Sequence, residues 1–346
     1  MGTIKNIAIL GAGIMGLYSA YELLHATNHA KVNITLYDPL GLKAHNASWM
    51  AGGMLAPYSE IEHMDMRWVE AGLSSIEQWR ENRLDCGFAQ SGSLLIAHPE
   101  DRHALERFAT HLPQDIQARK APQEVEPALP AKFKSGLFLQ EEAHIEPRRA
   151  IAALSNFIAN EVSVLERAAE PEQIDADIII DCRGLGASTT NLRGVKGEIA
   201  IVRNPDFTLS RPVRLMHPRY PLYIVPRPNN VFMIGATIIE SDEGKHVSLR
   251  SSMELLSALY SLHPSFGEAE IIELSAGIRP AYPDNLPRIE VEDRIIRANG
   301  LFRHGFLFSP LMARAIADHI QGKDNEHWTL LTHGQKTNKP DNQRAA

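Results

Sequence analysis

Cysteine is scarce in this sequence. Cys86 and Cys182 are the only two in 346 residues, and they lie far apart. Neither a disulfide framework nor a thiolate metal cluster fits, so a reducing cytoplasmic compartment is expected. Positive charge is not in excess. The formal net charge is -7, which argues against a nucleic-acid or anionic-membrane partner. No run of about 18 apolar residues suggests a membrane span. The apolar N-terminal stretch MGTIKNIAILGAGIMGLYSAYELL has one lysine ahead of its apolar run and no small-residue cleavage pattern, which argues against a signal peptide. The chain is 44% hydrophobic and 22% charged, ordinary for a folded protein of one large or two ordinary domains.

The chain reads as α/β at both ends with a strand-rich middle. Residues 5–10 read as a buried parallel strand, 14–25 as a helix and 31–38 as a strand rich in β-branched residues. Helices are expected over 66–84, 101–111, 147–161 and 248–264, the third with Pro147 suited to its first turn. Strands are expected in SGSLLIAHPE, SGLFLQEEAHIE, VSVLERA, DADIIIDCRGLGAS, GEIAIVR, PLYIVPR, NVFMIGAT, IIELSAGIRP and RIIRANG. The apolar strands near 178 and 296 are expected to return to the first sheet. A last helix is expected over 309–322, with Ser309 as cap, Pro310 at its first position and Gly322 as stop. The final residues are polar and expected to be disordered.

In ILGAGIMG, Gly11, Gly13 and Gly16 have G-x-G-x-x-G spacing. The first glycine permits the tight turn, the second lets a pyrophosphate approach the backbone, and the third lets helix and strand pack closely. The helix N-terminus then offers its free N–H groups, beginning around Ile14 and Met15, to phosphates. Asp38 follows Gly16 by 22 residues at the end of the second strand, where an acid can hold ribose hydroxyls. This pattern does not separate FAD from NAD. A second feature, NASWMAGGMLAP, follows directly. Ser48, Gly52 and Gly53 permit close backbone approach, and Met54 is apolar. A planar isoalloxazine ring needs small residues along an edge and apolar residues on a face; a mobile glycine loop is the alternative.

Arg279 stands in LSAGIRPAYPDNLPRIE between apolar residues in a stretch stiffened by Pro280, Pro283 and Pro287. Either it pairs with Glu273 or Asp284, the nearest carboxylates in sequence, or it waits for the carboxylate of a substrate.

The set ILGAGIMG, Asp38, ASWMAGGMLAP, HIEPRRAIAAL, VKGEIAIVR, PLYIVPRP, VFMIGAT, AGIRPAYPDNLPRI and LFRHGFLFSP, running from about residue 5 to 320, resembles the D-amino-acid-oxidase superfamily, most closely its glycine oxidases of the thiamine pathway. The resemblance implies a Rossmann-like FAD-binding domain from 1–58, 141–195 and 276–330. It implies a β-sheet substrate domain from 59–140 and 196–275, with a tail over 331–346. FAD would be non-covalent, since no cysteine lies where a related branch attaches its flavin. Arg279 and Tyr223 would grip the substrate carboxylate, and Arg303 would stand beside the flavin. Ile238 and Met54 would line the substrate cavity. Cofactor contacts would extend to Ala169, Cys182 and Gly184 on the adenine side, where DCRGLGA departs from the usual Thr-Gly or Ala-Gly. They would also include Arg303, His304, Gly305, Phe306 and Leu307 along the pyrimidine edge. The helix expected near Ser309 would place positive partial charge there.

The implied partners are a small amino-acid substrate and oxygen, with hand-off of the product to a thiazole synthase; a homo-oligomer stays open. The implied reaction is oxidative deamination, yielding hydrogen peroxide. Three alternatives stand beside it: a dehydrogenase of the same fold serving a quinone, a tRNA-modifying flavoprotein acting on a glycine-like arm, and a flavin-binding scaffold without turnover.

Overall fold

The computed structural model describes residues 5–26, 32–43, 46–187, 191–217, 221–244 and 246–333. Its six-stranded sheet contains β1 (Lys5–Leu10), β2 (Val32–Tyr37), β8 (Ser163–Leu165), β9 (Ile178–Asp181), β16 (Arg288–Glu292) and β17 (Ile295–Asn299), in the order β16-β17-β9-β1-β2-β8. All its pairings are parallel except that of β16 with β17. The strands near 178 and 296 do return to the first sheet. Parallel strands covered on both sides read as apolar runs, and β1 and β9 are such runs, buried over most of their length.

The nine-stranded sheet holds β4 (Ser93–Ile96), β5 (Arg119–Lys120), β6 (Gly136–Leu139), β10 (Arg193–Arg203), β11 (Val213–Leu215), β12 (Leu222–Arg227), β13 (Val231–Gly235), β14 (Ile239–Glu240) and β15 (Glu270–Ala281). It is antiparallel except between β11 and β4. The expected borders at 195/196 and 275/276 fall inside β10 and β15, which pair along their whole length. A two-stranded ribbon of β3 (Met54–Leu55) and β7 (Ala143–His144) joins the glycine loop to the rest. SGLFLQEEAHIE is thus two strands, β6 and β7. They are separated by a turn in which Glu142 is fully buried, accepting from Ser59 N (2.6 Å) and Ser59 Oγ (2.9 Å). Burial raises its carboxyl to about 7.

The helices are α1 (Ile14–Ala26), α2 (Met66–Glu81), α3 (Arg102–Ala109), α4 (Pro122–Val125), α5 (Pro147–Ile158), α6 (Leu249–Leu262), α7 (Gly305–Ile320) and α8 (Trp328–His333). One core packs α1, α2, α5 and α7 around the parallel sheet; a second lies between α6 and the larger sheet.

The last long helix stops where expected. Gly322 is left-handed (φ 68°), and Lys323 N and Gly322 N bond back to Asp318 O and His319 O, a Schellman ending. Its start differs. α7 begins at Gly305, so Ser309 is a buried helical residue rather than a cap, and Pro310 lies inside the helix. The proline is tolerated for a visible reason. It has no N–H for the carbonyl of Phe306, and that carbonyl instead accepts from Trp79 Nε1 of α2 at 2.7 Å. The polar tail also begins later than expected: α8 extends to His333 and buries Leu331. Residues 334–346 lie outside the described residues.

Candidate active site

A cleft of about 970 Å³ runs between the carboxyl ends of the parallel strands and the larger sheet. All the site residues singled out above line it except Gly16. Gly16 sits behind it, where a Cβ would come within 1.9 Å of the Gly11 carbonyl oxygen. Its place is in helix–strand packing, not at the cofactor surface.

One end of the cleft is built from backbone. Gly11 is left-handed (φ 98°) and donates to Tyr37 O at 2.8 Å. Asp38 accepts from Ala12 N and Leu40 N, each at 2.9 Å, and a carboxylate so engaged keeps lone pairs for further donors. A Cβ on Gly13 would meet only side-chain ends at 3.5 Å and beyond, so the cradle there is open. Ser48 Oγ accepts from Ile14 N (3.1 Å), which docks the second glycine loop onto the start of α1. On the far side, Cys182 N bonds to Leu10 O (2.8 Å). Arg183 is committed to protein acids: Nε and Nη2 to Asp181 (3.0 and 2.9 Å), Nη1 to Glu170 (2.9 Å) and to the Ala169 carbonyl (3.0 Å). The unusual DCRGLGA therefore stiffens the turn through its own ion pairs. Gly184 is left-handed (φ 62°), and its carbonyl accepts from Asn299 Nδ2. This end fits a dinucleotide: a helix N-terminus, an open glycine and an acid on the adjacent strand end.

The other end is built from side chains. Arg279 stands on β15 opposite Val195 of β10, and its guanidinium occupies the space where Gly197 lacks a Cβ; a Cβ there would fall 2.0 Å from Nη2. Nη1 donates to Thr237 O at 3.2 Å. Neither expected acid holds it. Glu273 accepts a bidentate pair from Arg148 (2.8 and 2.9 Å), and Asp284 accepts from Arg288 (2.7 Å). Burial depresses the Arg279 pKa from its usual value. Tyr223, on β12 opposite Arg214 of β11 and Gly235 of β13, lays its ring against Gly52 and Gly235. Burial raises its hydroxyl pKa, against the opposing pull of Arg279 and Arg303.

Arg303 follows Phe302, a non-glycine residue at φ 48°. The Phe302 ring centroid lies 6.0 Å from the Arg279 guanidinium and 5.5 Å from that of Arg303. Arg303 forms an ion pair with Glu60, the two side chains being 22% and 15% exposed. Burial works against ionisation of Glu60, but Arg303, and less strongly Arg214, outweigh it and hold the carboxyl below its usual range. His304 is buried, packed edge-on against Phe302 and Phe308, and burial lowers it to about 4, so its ring is neutral. Gly305 opens α7 within van der Waals reach of Ile14, so the positive ends of α1 and α7 meet at the cleft.

Three residues here escaped the sequence reading. Glu60 lies in a short turn, Tyr58–Glu60, 243 positions from Arg303, and no local pattern links them. Arg214 donates to Ser59 O from β11, a strand also missed. Arg227 donates from Nη2 to Gly52 O (2.7 Å), which fixes the glycine loop from behind; YIVPR had signalled only Tyr223.

The sheet order and the cleft define a dinucleotide-binding architecture, and comparison with known proteins narrows it to a flavoprotein oxidoreductase. The model of the family of FAD dependent oxidoreductases (DAO) matches residues 6–319, and the chain belongs to that family. A protein from Rhizobium etli named for a thiamine biosynthesis oxidoreductase, ThiO, is 42% identical over 316 residues, covering 90% of this chain and 95% of its own. A glycine oxidase of Geobacillus kaustophilus is 27% identical over 361 residues, covering 92% and 93%. The crystal structure of glycine oxidase from that species superposes with a TM-score of 0.79 at 23% identity, covering 94% of this chain and 96% of that one. A bifunctional ThiO/ThiG protein of Synechocystis is 25% identical over 92% of this chain and 52% of its own length. Among the described residues no helix is long and apolar enough to cross a membrane.

Proposed function

We propose that this protein oxidises glycine or a similarly small amino acid to the imine, which water converts to the 2-oxo acid and ammonia, with oxygen reduced to hydrogen peroxide. The observation that carries the reading is Arg279, a desolvated guanidinium on the cleft wall with no acidic partner among the described residues. A bidentate arginine fixes a carboxylate in plane and register. FAD, when bound, supplies the acceptor for the two electrons leaving the substrate's Cα–H and N–H bonds.

The chain's own work is placement. Arg279 binds the carboxylate and the Tyr223 hydroxyl donates to it. Gly52, whose carbonyl is held by Arg227, lets the Tyr223 ring lie directly against the loop. Met54 and Ile238 line the same cleft, Ile238 being 52% exposed at its mouth. No buried base is required, since the amine can lose its proton to water before binding, and a neutral His304 packed among phenylalanines is not placed in the chemistry. FAD is held without a covalent bond in this reading. Cys86 is buried away from the cleft, and Cys182 sits under Gly11 at the dinucleotide end. The names of the Rhizobium relative and of the fused relative support a place in thiamine biosynthesis, with the imine passed on to a thiazole synthase.

The purified protein should be yellow, should bleach anaerobically on addition of glycine, and should release one peroxide per turnover in air. Oxidised absorbance that persists with glycine, sarcosine and small D-amino acids would remove the reading. Bleaching without peroxide would move the acceptor to a quinone.

A further inference from the structure

Three arginines line the ring end of the cleft: Arg214, Arg279 and Arg303. Arg214 donates to the carbonyl of Ser59, and Arg303 is paired with Glu60. Of the three only Arg303 has an acidic partner among the described residues; Arg279 donates to the carbonyl of Thr237. Among the described residues Glu60 is the one acid lining this end, the other acids on the cleft wall, Asp38 and Glu170, being at the dinucleotide end. Its surroundings keep it charged. Arg303 touches it, and Arg214 holds the carbonyl of the preceding residue.

We propose that Glu60 sets the charge class of the substrate. By pairing with Arg303 it removes that guanidinium as an anchor for a second carboxylate and sets a negative charge beside it, so that amines bearing a single carboxylate are accepted and dicarboxylic amines are refused. The inference rests on Arg279 taking the substrate's carboxylate. The guanidinium of Arg303 stands on the same Phe302 ring as that of Arg279, so the two are no further apart than the sum of the two ring distances given above. A second carboxylate entering beside the first would meet Arg303. It would also meet the Glu60 carboxylate, and like charges brought together in a partly desolvated cavity repel strongly. Refusal is therefore built from a repulsive element as well as from a missing attractive one. The Arg303 Nε–H is buried without a hydrogen-bond partner. It is an unmet donor on the residue that would become the second anchor once Glu60 loses its charge.

The test uses the FAD-loaded protein and reads binding by the change in flavin absorbance. Unreactive acids serve as probes: acetate for one carboxylate, and malonate, succinate and glutarate for two. In the wild type acetate should bind and the diacids should bind more weakly. In Glu60→Gln, which keeps the size and hydrogen-bonding capacity of the side chain, the ratio of best-diacid affinity to acetate affinity should rise about tenfold or more. Turnover of iminodiacetate should rise relative to glycine in the same variant. In the double variant Glu60→Gln/Arg303→Leu the gain should vanish, because the second anchor is gone. A role of Glu60 in folding alone would lower all affinities together and leave the ratio where it was.

An unchanged ratio, a gain that persists without Arg303, or a wild type that already prefers a diacid would each overturn the inference. The last of these needs no variant to fold. If the wild type binds no carboxylate and glycine leaves the flavin oxidised, the proposed function falls with it. If acetate binds and glycine bleaches the flavin but the ratio does not move, only the role of Glu60 falls.

Discussion

The two ends of the cleft are held by different means. At the dinucleotide end the positions are set by main-chain N–H groups that donate within segments close in sequence: Gly11 to the Tyr37 carbonyl, Ala12 and Leu40 to the Asp38 carboxylate, Ile14 to the Ser48 hydroxyl. At the ring end they are set by side chains from segments far apart: Arg303 on Glu60, Arg227 on the carbonyl of Gly52, Tyr223 against Gly235 and Gly52, Arg279 in the space left by Gly197. Backbone cradles depend on which residues lack a Cβ. Side-chain sites depend on which charges are left unpaired after the chain has folded.

The comparison breaks most sharply at Arg279. Arg279→Ala should leave FAD bound, since nothing at the dinucleotide end touches it. Turnover of glycine per unit of substrate should fall about a thousandfold, roughly 4 kcal/mol, through loss of a desolvated charged contact. Arg279→Lys should recover only part of this, because a point charge lacks the guanidinium fork. If FAD is lost along with activity, the two ends are not separable. If the apparent affinity for glycine is unchanged, Arg279 does not hold the carboxylate.

The converse variant is Gly16→Ala. The added methyl would meet the Gly11 carbonyl oxygen at 1.9 Å, and that obstruction is backbone rather than the end of a flexible side chain. Overpacking of this kind costs about 1–3 kcal/mol. FAD affinity should fall by roughly tenfold to a hundredfold, while enzyme saturated with FAD should keep its apparent affinity for glycine. A fluorescence titration of the apoprotein with FAD measures the first, and steady-state kinetics at saturating FAD measures the second.

The same contrast explains what was legible beforehand. The glycine spacing, Asp38 and the second glycine loop are local patterns, and Gly11 and Gly16 each have a steric reason visible in the structure. Arg279 was legible as a question, because a stiffened apolar stretch rarely carries an idle arginine. Its answer was not. Choosing between Glu273 and an external carboxylate required knowing that Arg148, from α5, takes Glu273. Glu60 was invisible for the same reason: its partner is 243 residues away, in a loop strained at Phe302. The start of α7 was misplaced because Ser309-Pro310 carries the usual signature of a helix beginning. Only the indole of Trp79, from another helix, makes the proline acceptable inside one.

Two buried histidines, one lining the cleft and one on β7 outside it, extend the comparison to pH. Burial lowers both His144 and His304 to about 4. Between pH 6.5 and 4 the unfolded chain therefore binds protons that the folded chain does not. Their contribution to stability is complete above 6.5 and is lost as pH falls toward 4, to a limit of about 3 kcal/mol each. Glu142, raised to about 7, acts in the opposite sense, its share being lost as pH rises from about 4.5 to 7. A difference between variants isolates the histidine. His144 Nδ1 has no hydrogen-bond partner to lose, so in His144→Phe the fall in unfolding midpoint between pH 6.5 and 4.5 should be smaller than in the wild type. Parallel curves for the two proteins would show that His144 is charged in the fold.

The smallest expected effect belongs to Tyr223→Phe. The ring is the larger part of what Tyr223 contributes to the wall, since it fills the space left by Gly52 and Gly235, and phenylalanine keeps it. In the proposed binding mode, what is removed is one O–H donor toward the substrate carboxylate. A neutral donor to a charged acceptor is worth about 1.5–3 kcal/mol when lost from a buried site, but Arg279 remains to hold the same carboxylate. The loss in glycine turnover should therefore sit near the lower figure, about tenfold. It should appear mainly as weaker apparent binding of glycine, with the flavin spectrum unaltered. A loss as large as that of Arg279→Ala would mean that the hydroxyl acts on the reacting atoms themselves, and the division of labour between the arginine that anchors and the tyrosine that trims would have to be reversed.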